Sequence, residues 1–298
     1  MQSPRKWRKP VLPERASAGV AFVALTDAAL EQISANAAGA ALGRDPEYLH
    51  QLRVGVRRLR SALRAFRALL KRHRAGVVEL PWRGMMPVLG TARDWDVFLQ
   101  SLPPGTLRQE AARRRAESLR LVRTLLRSEA FRETRTETRS WIHRGLWRRH
   151  ADPAEPLRQF AQRALDKLHA GLRKAADDID WRDAAQRHRV RIRVKRIRYA
   201  CDFFGDAYAG RRIKPYLDGL RALQDILGEM NDISVQRVLL RRLSHRRSPL
   251  AEVRAEAVAR AALAAREHEL IAALDPAWAT FVVRRPFWQG RPAARAKA

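Results

Sequence analysis

The sequence predicts an all-α protein built of two similar antiparallel helical bundles related by internal duplication. Three observations predict it. Apolar residues recur at alternating spacings of three and four through most of the chain, the period of one helix face. No run of alternating β-branched residues, the mark of a half-buried strand, survives inspection. One basic motif is also written twice, as His50-Gln51-Leu52-Arg53 to Arg57-Arg58-Leu59-Arg60 and, 138 residues later, as His188-Arg189-Val190-Arg191 to Lys195-Arg196-Ile197-Arg198.

The separation of 138 returns downstream, where Leu89-Gly90 corresponds to Leu227-Gly228 and Asp94 to Asp232. Phe131 and Trp141 correspond to Trp278 and Trp288 at a separation of 147, which implies nine residues inserted in the second copy. The expected organisation is a single domain over 15–291, made of repeat one at 20–150 and repeat two at 156–291. Basic tails at 1–14 and 292–298 flank it, and Met1 to Arg15 and Arg291 to Ala298 are expected as disordered basic arms.

In chain order, helices are expected over 17–40, 46–72, 81–101, 105–127 and 129–148, then over 154–178, 183–207, 212–243 and 249–274, with a shorter one after Pro276. The breaks fall at Gly43 to Pro46, Pro103-Pro104-Gly105, Asp152-Pro153 and Ser248-Pro249, where glycine and proline punctuate the pattern. Asp45-Pro46-Glu47 reads as a helix start, with Asp45 as cap, proline in the first turn and an acid at the positive end of the helix dipole.

Along the second helix, Leu49, Leu52, Val56, Leu59, Leu63, Phe66 and Leu70 form one apolar stripe and are expected in the core. The same alternation one residue later gives His50, Arg53, Arg57, Arg60, Arg64, Arg67 and Lys71, a basic stripe within roughly a 100° arc. Like charges at these spacings repel by a few tenths of a kcal/mol per pair, and no acid on the same helix face relieves them. The second copy repeats the layout, with Val190, Val194, Ile197, Cys201 and Phe204 as core and His188, Arg191, Lys195 and Arg198 beside them. Asp202 stands where Arg64 stood, so this stripe is shorter and open to pairing at its end.

Composition bounds the partner. The 298 residues, 46 % hydrophobic, suffice for a buried core, and 60 Lys and Arg against 31 Asp and Glu leave +29. Such an excess calls for a polyanion. Cys201 is the single cysteine, so no intrachain disulfide or cysteine zinc cage forms. The apolar stretch Val20 to Leu25 is too short for a signal core, and no stretch approaches the ~20 apolar residues of a membrane span. A soluble, cytoplasmic protein with no membrane partner is expected.

Each feature has a plainer alternative. A basic stripe can be a solvated face, but its repetition with histidine and arginine spacing retained favours anion contact. Asp94 and Asp232 could orient an arginine of the stripe or belong to an acid or metal site, and one carboxylate per repeat is poor metal chemistry. Trp82, Trp95, Trp141, Trp147, Trp181, Trp278 and Trp288 could stack on bases, but spread singly among helices they suit core packing better.

The pattern His-x-x-Arg-x-x-x-Arg-Arg-x-Arg, repeated with Lys195-Arg196-x-Arg198-Tyr199 and followed each time by Leu-Gly and an aspartate, resembles the CHAD domain, the conserved histidine α-helical domain, over about 15–290. Asn231 and Ser234 depart from the Arg-Asp-x-Asp form of the first copy. The resemblance implies two helical bundles about a pseudo-twofold axis and a basic surface that binds inorganic polyphosphate, in some members at polyphosphate granules. The polyphosphate contacts assigned are His50, Arg53, Arg57, Arg58, Arg60 and Arg64 in one repeat and His188, Arg191, Lys195, Arg196, Arg198 and Tyr199 in the other, with Asp94 and Asp232 orienting or structural. No catalytic residue, metal or cofactor is assigned. Guanidinium forks suit a chain of phosphates, since each can hold two oxygens and keeps its charge. Two rivals remain: nonspecific nucleic-acid binding, which the charge alone would support, and a polyphosphate enzyme using a phosphohistidine, for which the sequence offers no orienting base, no Gly-x-x-x-x-Gly-Lys-Ser/Thr loop and no Glu-x-Glu-x-Lys strand.

Overall fold

The computed structural model describes residues 3–70, 75–145, 147–150, 152–208, 213–243 and 250–289. The described residues are helical and contain no strand, so the all-α class expected from the sequence is the one found. They fall into two compact units: residues up to Ala154 together with Asp232–Ala264, and Glu155–Asn231 together with the segment from Ala265.

In the first unit, α1 (Ala18–Leu42) starts where the Ser17 hydroxyl accepts from the Val20 N–H and stops at Gly43, whose φ of 70° only glycine adopts cheaply. α2 (Pro46–Ala65) begins as the sequence requires, with Asp45 Oδ1 accepting from the Glu47 N–H at 2.8 Å. The two helices are antiparallel and close. A Cβ on Gly39 would stand 2.2 Å from the Tyr48 ring and one on Gly55 2.9 Å from Ile33, while Phe22 meets Phe66 at 5.5 Å. Every member of the predicted apolar stripe from Leu49 to Leu70 is buried, and full burial of such side chains stabilises by about 1.5–3 kcal/mol each.

The helix expected over 46–72 is interrupted at Phe66, which leaves helical geometry (φ −92°, ψ 15°) before the short α3 (Arg67–Leu70). Lys71 lies outside the described residues. α4 (Ala75–Ser101) starts six residues earlier than expected and runs through Pro81 and Pro87. These prolines leave the carbonyls of Val77 and Arg83 without their usual donors but do not end the helix. α5 (Thr106–Arg127) and α6 (Glu129–Arg144) follow, the latter capped by Ser128, and α7 (Trp147–His150) replaces the tail of the helix expected to reach 148.

The second unit opens with α8 (Leu157–Ala176) and α9 (Ala184–Phe204), the latter capped by Asp183. A 3-10 turn (Gly205–Ala207) closes α9. Phe160 meets Phe204 at 6.0 Å, and a Cβ on Gly171 would stand 2.8 Å from the Arg193 guanidinium, so this pair too is antiparallel. α10 (Ile213–Leu243) begins in the second unit and ends in the first, and α11 (Leu250–Val282) begins in the first and ends in the second. α11 passes through Pro276, where the sequence suggested two helices. The expected break at Ser248-Pro249 lies outside the described residues. In the first unit Leu239, Leu240 and Leu243 of α10 cover Trp95 and Phe98 of α4.

Two expectations are corrected. The amino-terminal segment from Ser3 is placed rather than a loose arm: the fully buried Asn36 side chain accepts from the Arg5 N–H at 3.0 Å and donates to the Arg5 carbonyl at 2.9 Å, and Arg5 pairs with Glu31 at 3.1 Å. α1 is also long and apolar enough by composition to cross a membrane. Phe22, Leu25, Leu30 and Ile33 of this helix are instead buried within the first unit. Cys201, at 1 % exposure, is core, and burial pushes its thiol pKa well up.

Candidate anion-binding site

Burying the apolar stripe of α2 fixes the adjacent stripe half in and half out of water. His50, Arg53, Arg57 and Arg60 are partly exposed, and Arg64 and Arg67 are exposed. The neighbouring α4 then holds some of these arginines and leaves others open.

Arg53 is the most constrained. Its Nη1 donates to the carbonyls of Leu89 and Gly90, at 3.1 and 2.8 Å, and lies 3.8 Å from Asp94 Oδ1. The Leu-Gly element thereby acquires a role through its two carbonyls; a Cβ on Gly90 would stand 3.8 Å from that same nitrogen, an ordinary van der Waals distance, so the contact does not itself require glycine. Burial lowers the Arg53 pKa to about 10 against the opposing pull of Asp94, which leaves it charged at neutral pH. Asp94 stands beside the guanidinium, and the shorter contacts come from the two carbonyls.

Further along the helix, Arg60 pairs with Glu79 of α4 at 3.2 Å and Arg64 pairs with the same carboxylate. On α2 itself Glu47 acts only on His50 at the start of the stripe, and Glu79 relieves the arginines at its other end from outside. Sequence spacing could not reveal this, because Glu79 lies on another helix and, by the expected boundaries, ahead of it. Between these anchored arginines stand Arg57 and, one turn before Arg53, His50. Neither forms a hydrogen bond or ion pair among the described residues. Burial, then the charges of Arg93, Arg57 and Arg53, lower the His50 pKa below 6.5.

α4 adds cations of its own. Arg93 lies near enough to His50, Arg53 and Asp94 to shift all three, and Arg83 acts likewise on Arg60. Neither was singled out in the sequence, although Arg93 adjoins the retained aspartate. Asp94 has its pKa raised, chiefly by burial and further by the charge of Asp232, against the pull of Arg53. The two corresponding aspartates therefore lie within electrostatic reach inside the first unit.

Arg58 lies off the stripe, its guanidinium 4.6 Å from the centre of the Trp7 ring. Trp7 was missed because its segment reads as a tail. A cation over an aromatic face gains about 0.5–1 kcal/mol at an exposed site.

In the second unit, α9 presents His188 and Arg196 exposed and Arg191, Lys195 and Arg198 partly exposed. Asp202 pairs with Arg198 at 3.0 Å, the closure at the end of the stripe that the sequence left open. Tyr199 is buried at 6 % exposure, with Arg198 4.9 Å over its ring. It supports the arginine rather than offering a free hydroxyl edge. The tryptophans follow the core reading in the main: Trp82, Trp95, Trp147, Trp181 and Trp288 are buried, and Trp141 and Trp278 are partly so. Among the described residues no group of three or more His, Cys, Asp or Glu could hold a metal ion.

A family model described as the CHAD domain matches residues 24–241. The crystal structure of the CHAD domain from the plant Ricinus communis superposes with a TM-score of 0.83 at 32 % identity, covering 96 % of this chain and 98 % of that one. PptA from Streptomyces chartreusis superposes with a TM-score of 0.56 at 18 % identity, covering 89 % of this chain and all of that one, a likeness of fold alone. Among curated proteins, none matches the chain.

Proposed function

The chain belongs to the CHAD domain family, a family associated with polyphosphate binding, and from that premise we propose that it binds inorganic polyphosphate, without transforming it, through the basic faces of α2 and α9. The observation that carries this reading is the alternation on α2: Arg53, Arg60 and Arg64 are held by α4, while Arg57 and His50 have no hydrogen-bond or ion-pair partner among the described residues. The anchored arginines are already ordered, so binding loses little side-chain freedom there. The open ones supply donors to successive phosphates, and charge-assisted hydrogen bonds of this kind contribute about 1.5–3 kcal/mol each before non-additivity.

The arrangement favours holding over transfer. A histidine nucleophile needs a base to orient it, and His50 has no hydrogen-bond partner among the described residues. Affinity derives largely from released counterions and falls steeply with salt. We extend the proposal to location: cytoplasmic polyphosphate granules, where phosphate chains are concentrated, would supply the ligand for this chemistry.

The charge of +29 gives nonspecific nucleic-acid binding a claim of its own. A competition titration at about 0.15 M salt separates the two: labelled long-chain polyphosphate is displaced by duplex DNA, single-stranded RNA or short polyphosphate, on wild type and on Arg57→Glu with Lys195→Glu. Polyphosphate should win at equal phosphate concentration, and the double variant should lose that preference. Equal competition by DNA or RNA, with all ligands weakened alike in the variant, would make the faces a general polyanion surface.

A further inference from the structure

The first unit carries a second basic concavity, between α1 and α6, to which neither α2 nor α4 contributes. It encloses about 460 Å³ and is lined by Arg135, Arg139 and Arg144 of α6, with the hydroxyls of Ser34, Thr136 and Ser140 among them. Leu30 and His143 complete it, and no carboxylate lines it. Asp27 of α1 is engaged by the lining residue His143 at 3.0 Å. Arg139 and Arg144 form no hydrogen bond or ion pair among the described residues, and Arg135 lies over the Phe131 ring at 5.6 Å. A solvated helix face usually mixes signs. Here none of the glutamates of α6 lines the groove, whereas three of its arginines do.

The second unit has a groove in the corresponding place. The separation of 147 that relates Trp141 to Trp288 carries residues 135 and 139 onto Val282 and Pro286, and both line a pocket of about 520 Å³ against α8. The side chains differ, but the charge returns from new positions, as Arg173, Arg284 and Arg285. Its single carboxylate, Asp166, is occupied by donation from Trp288 Nε1 at 2.8 Å and Gln289 Nε2 at 3.0 Å.

We propose that the α1–α6 groove is a second anion site, taking a further segment of the same condensed phosphate chain through Arg135, Arg139 and Arg144. The proposal rests on polyphosphate being the ligand. A chain long enough to reach both the α2 face and the groove binds at two places, and the second contact forms at the high effective concentration set by the first. A short chain occupies one site at a time. The groove therefore adds chain-length preference where the α2 face alone would saturate.

The test is a titration of the full-length chain with tripolyphosphate and with long-chain polyphosphate, on wild type, on Arg139→Gln with Arg144→Gln, and on Arg57→Glu. Both groove arginines are exposed, and far-UV circular dichroism verifies that the fold is retained. In the groove variant the long-chain affinity should fall about tenfold and its salt dependence should flatten by roughly one to two in the log–log slope, while tripolyphosphate affinity changes by less than about threefold. A groove variant that binds long chains with wild-type affinity and salt slope, while Arg57→Glu loses them, overturns the groove and leaves the α2 face intact. No binding of either phosphate by wild type overturns the underlying reading instead. Arg139→Lys is the second variant: it keeps the charge but loses the fork, and an intermediate loss is expected.

Discussion

Arg53 and Asp94 face each other at 3.8 Å across α2 and α4, but the carbonyls of Leu89 and Gly90, not the carboxylate, make the shorter contacts to the guanidinium. The arginine is held by the backbone of α4 and tuned by Asp94. The aspartate suffers for its position: burial and the nearby charge of Asp232 raise its pKa despite Arg53.

A stability prediction follows from that sign. A carboxyl whose folded pKa lies above its unfolded value binds more protons when folded, so its contribution falls as pH rises through that window. Asp94→Asn should therefore be as stable as wild type or slightly more so at pH 7, by less than about 1 kcal/mol, with the difference shrinking on acidification through the raised pKa. Arg53→Ala should lose about 1–3 kcal/mol through its charged hydrogen bonds and buried stem. Urea unfolding of both variants at pH 4 and pH 7 measures this, and a strongly destabilised Asp94→Asn at pH 7 would contradict it.

Glu79 competes with the ligand for Arg60 and Arg64. Glu79→Gln should raise polyphosphate affinity about three- to tenfold at low salt, with the gain narrowing as salt screens it. Isothermal titration at two ionic strengths decides the matter. Unchanged or weaker binding would mean that Glu79 positions those arginines productively instead of neutralising them.

His50 sets the pH dependence of the first face. Its pKa in the free protein lies below 6.5, so the imidazole is neutral at pH 7. A bound polyanion favours the charged form and raises that pKa. Affinity should then increase as pH falls through the pKa of the complex and level off below that of the free protein. The gain starts from a neutral imidazole and extends to more acidic pH than an unshifted histidine would allow. His50→Ala should flatten this part of the profile, and an unchanged profile would remove His50 from the contact.

Much of this could be read from the sequence because α2 carries two periodic signals side by side. Leu49 through Leu70 define the buried face, and with it the exposure of the basic one. Asp45, Pro46 and Gly43 marked its start and the turn before it through local backbone chemistry alone. Glu79 was not legible, since a cross-helix ion pair has no fixed sequence spacing and Pro81 resembled a helix start. Proline costs one hydrogen bond, which packing can offset, so Pro81, Pro87 and Pro276 all sit inside helices. The break at Phe66 has no breaker residue; its ring packs on Phe22, and nothing local announces that contact. Trp7 was hidden because tethering through Asn36 and Arg58 depends on residues far along the chain.

The passage of α10 and α11 between the units bears on how this fold can be divided. Trp95 and Phe98 are sealed by Leu239, Leu240 and Leu243, which come from the distant end of the chain. A fragment ending near residue 150 would carry an open wound in its core, and the remaining fragment would carry the patch. Co-expressed, the two would complement each other.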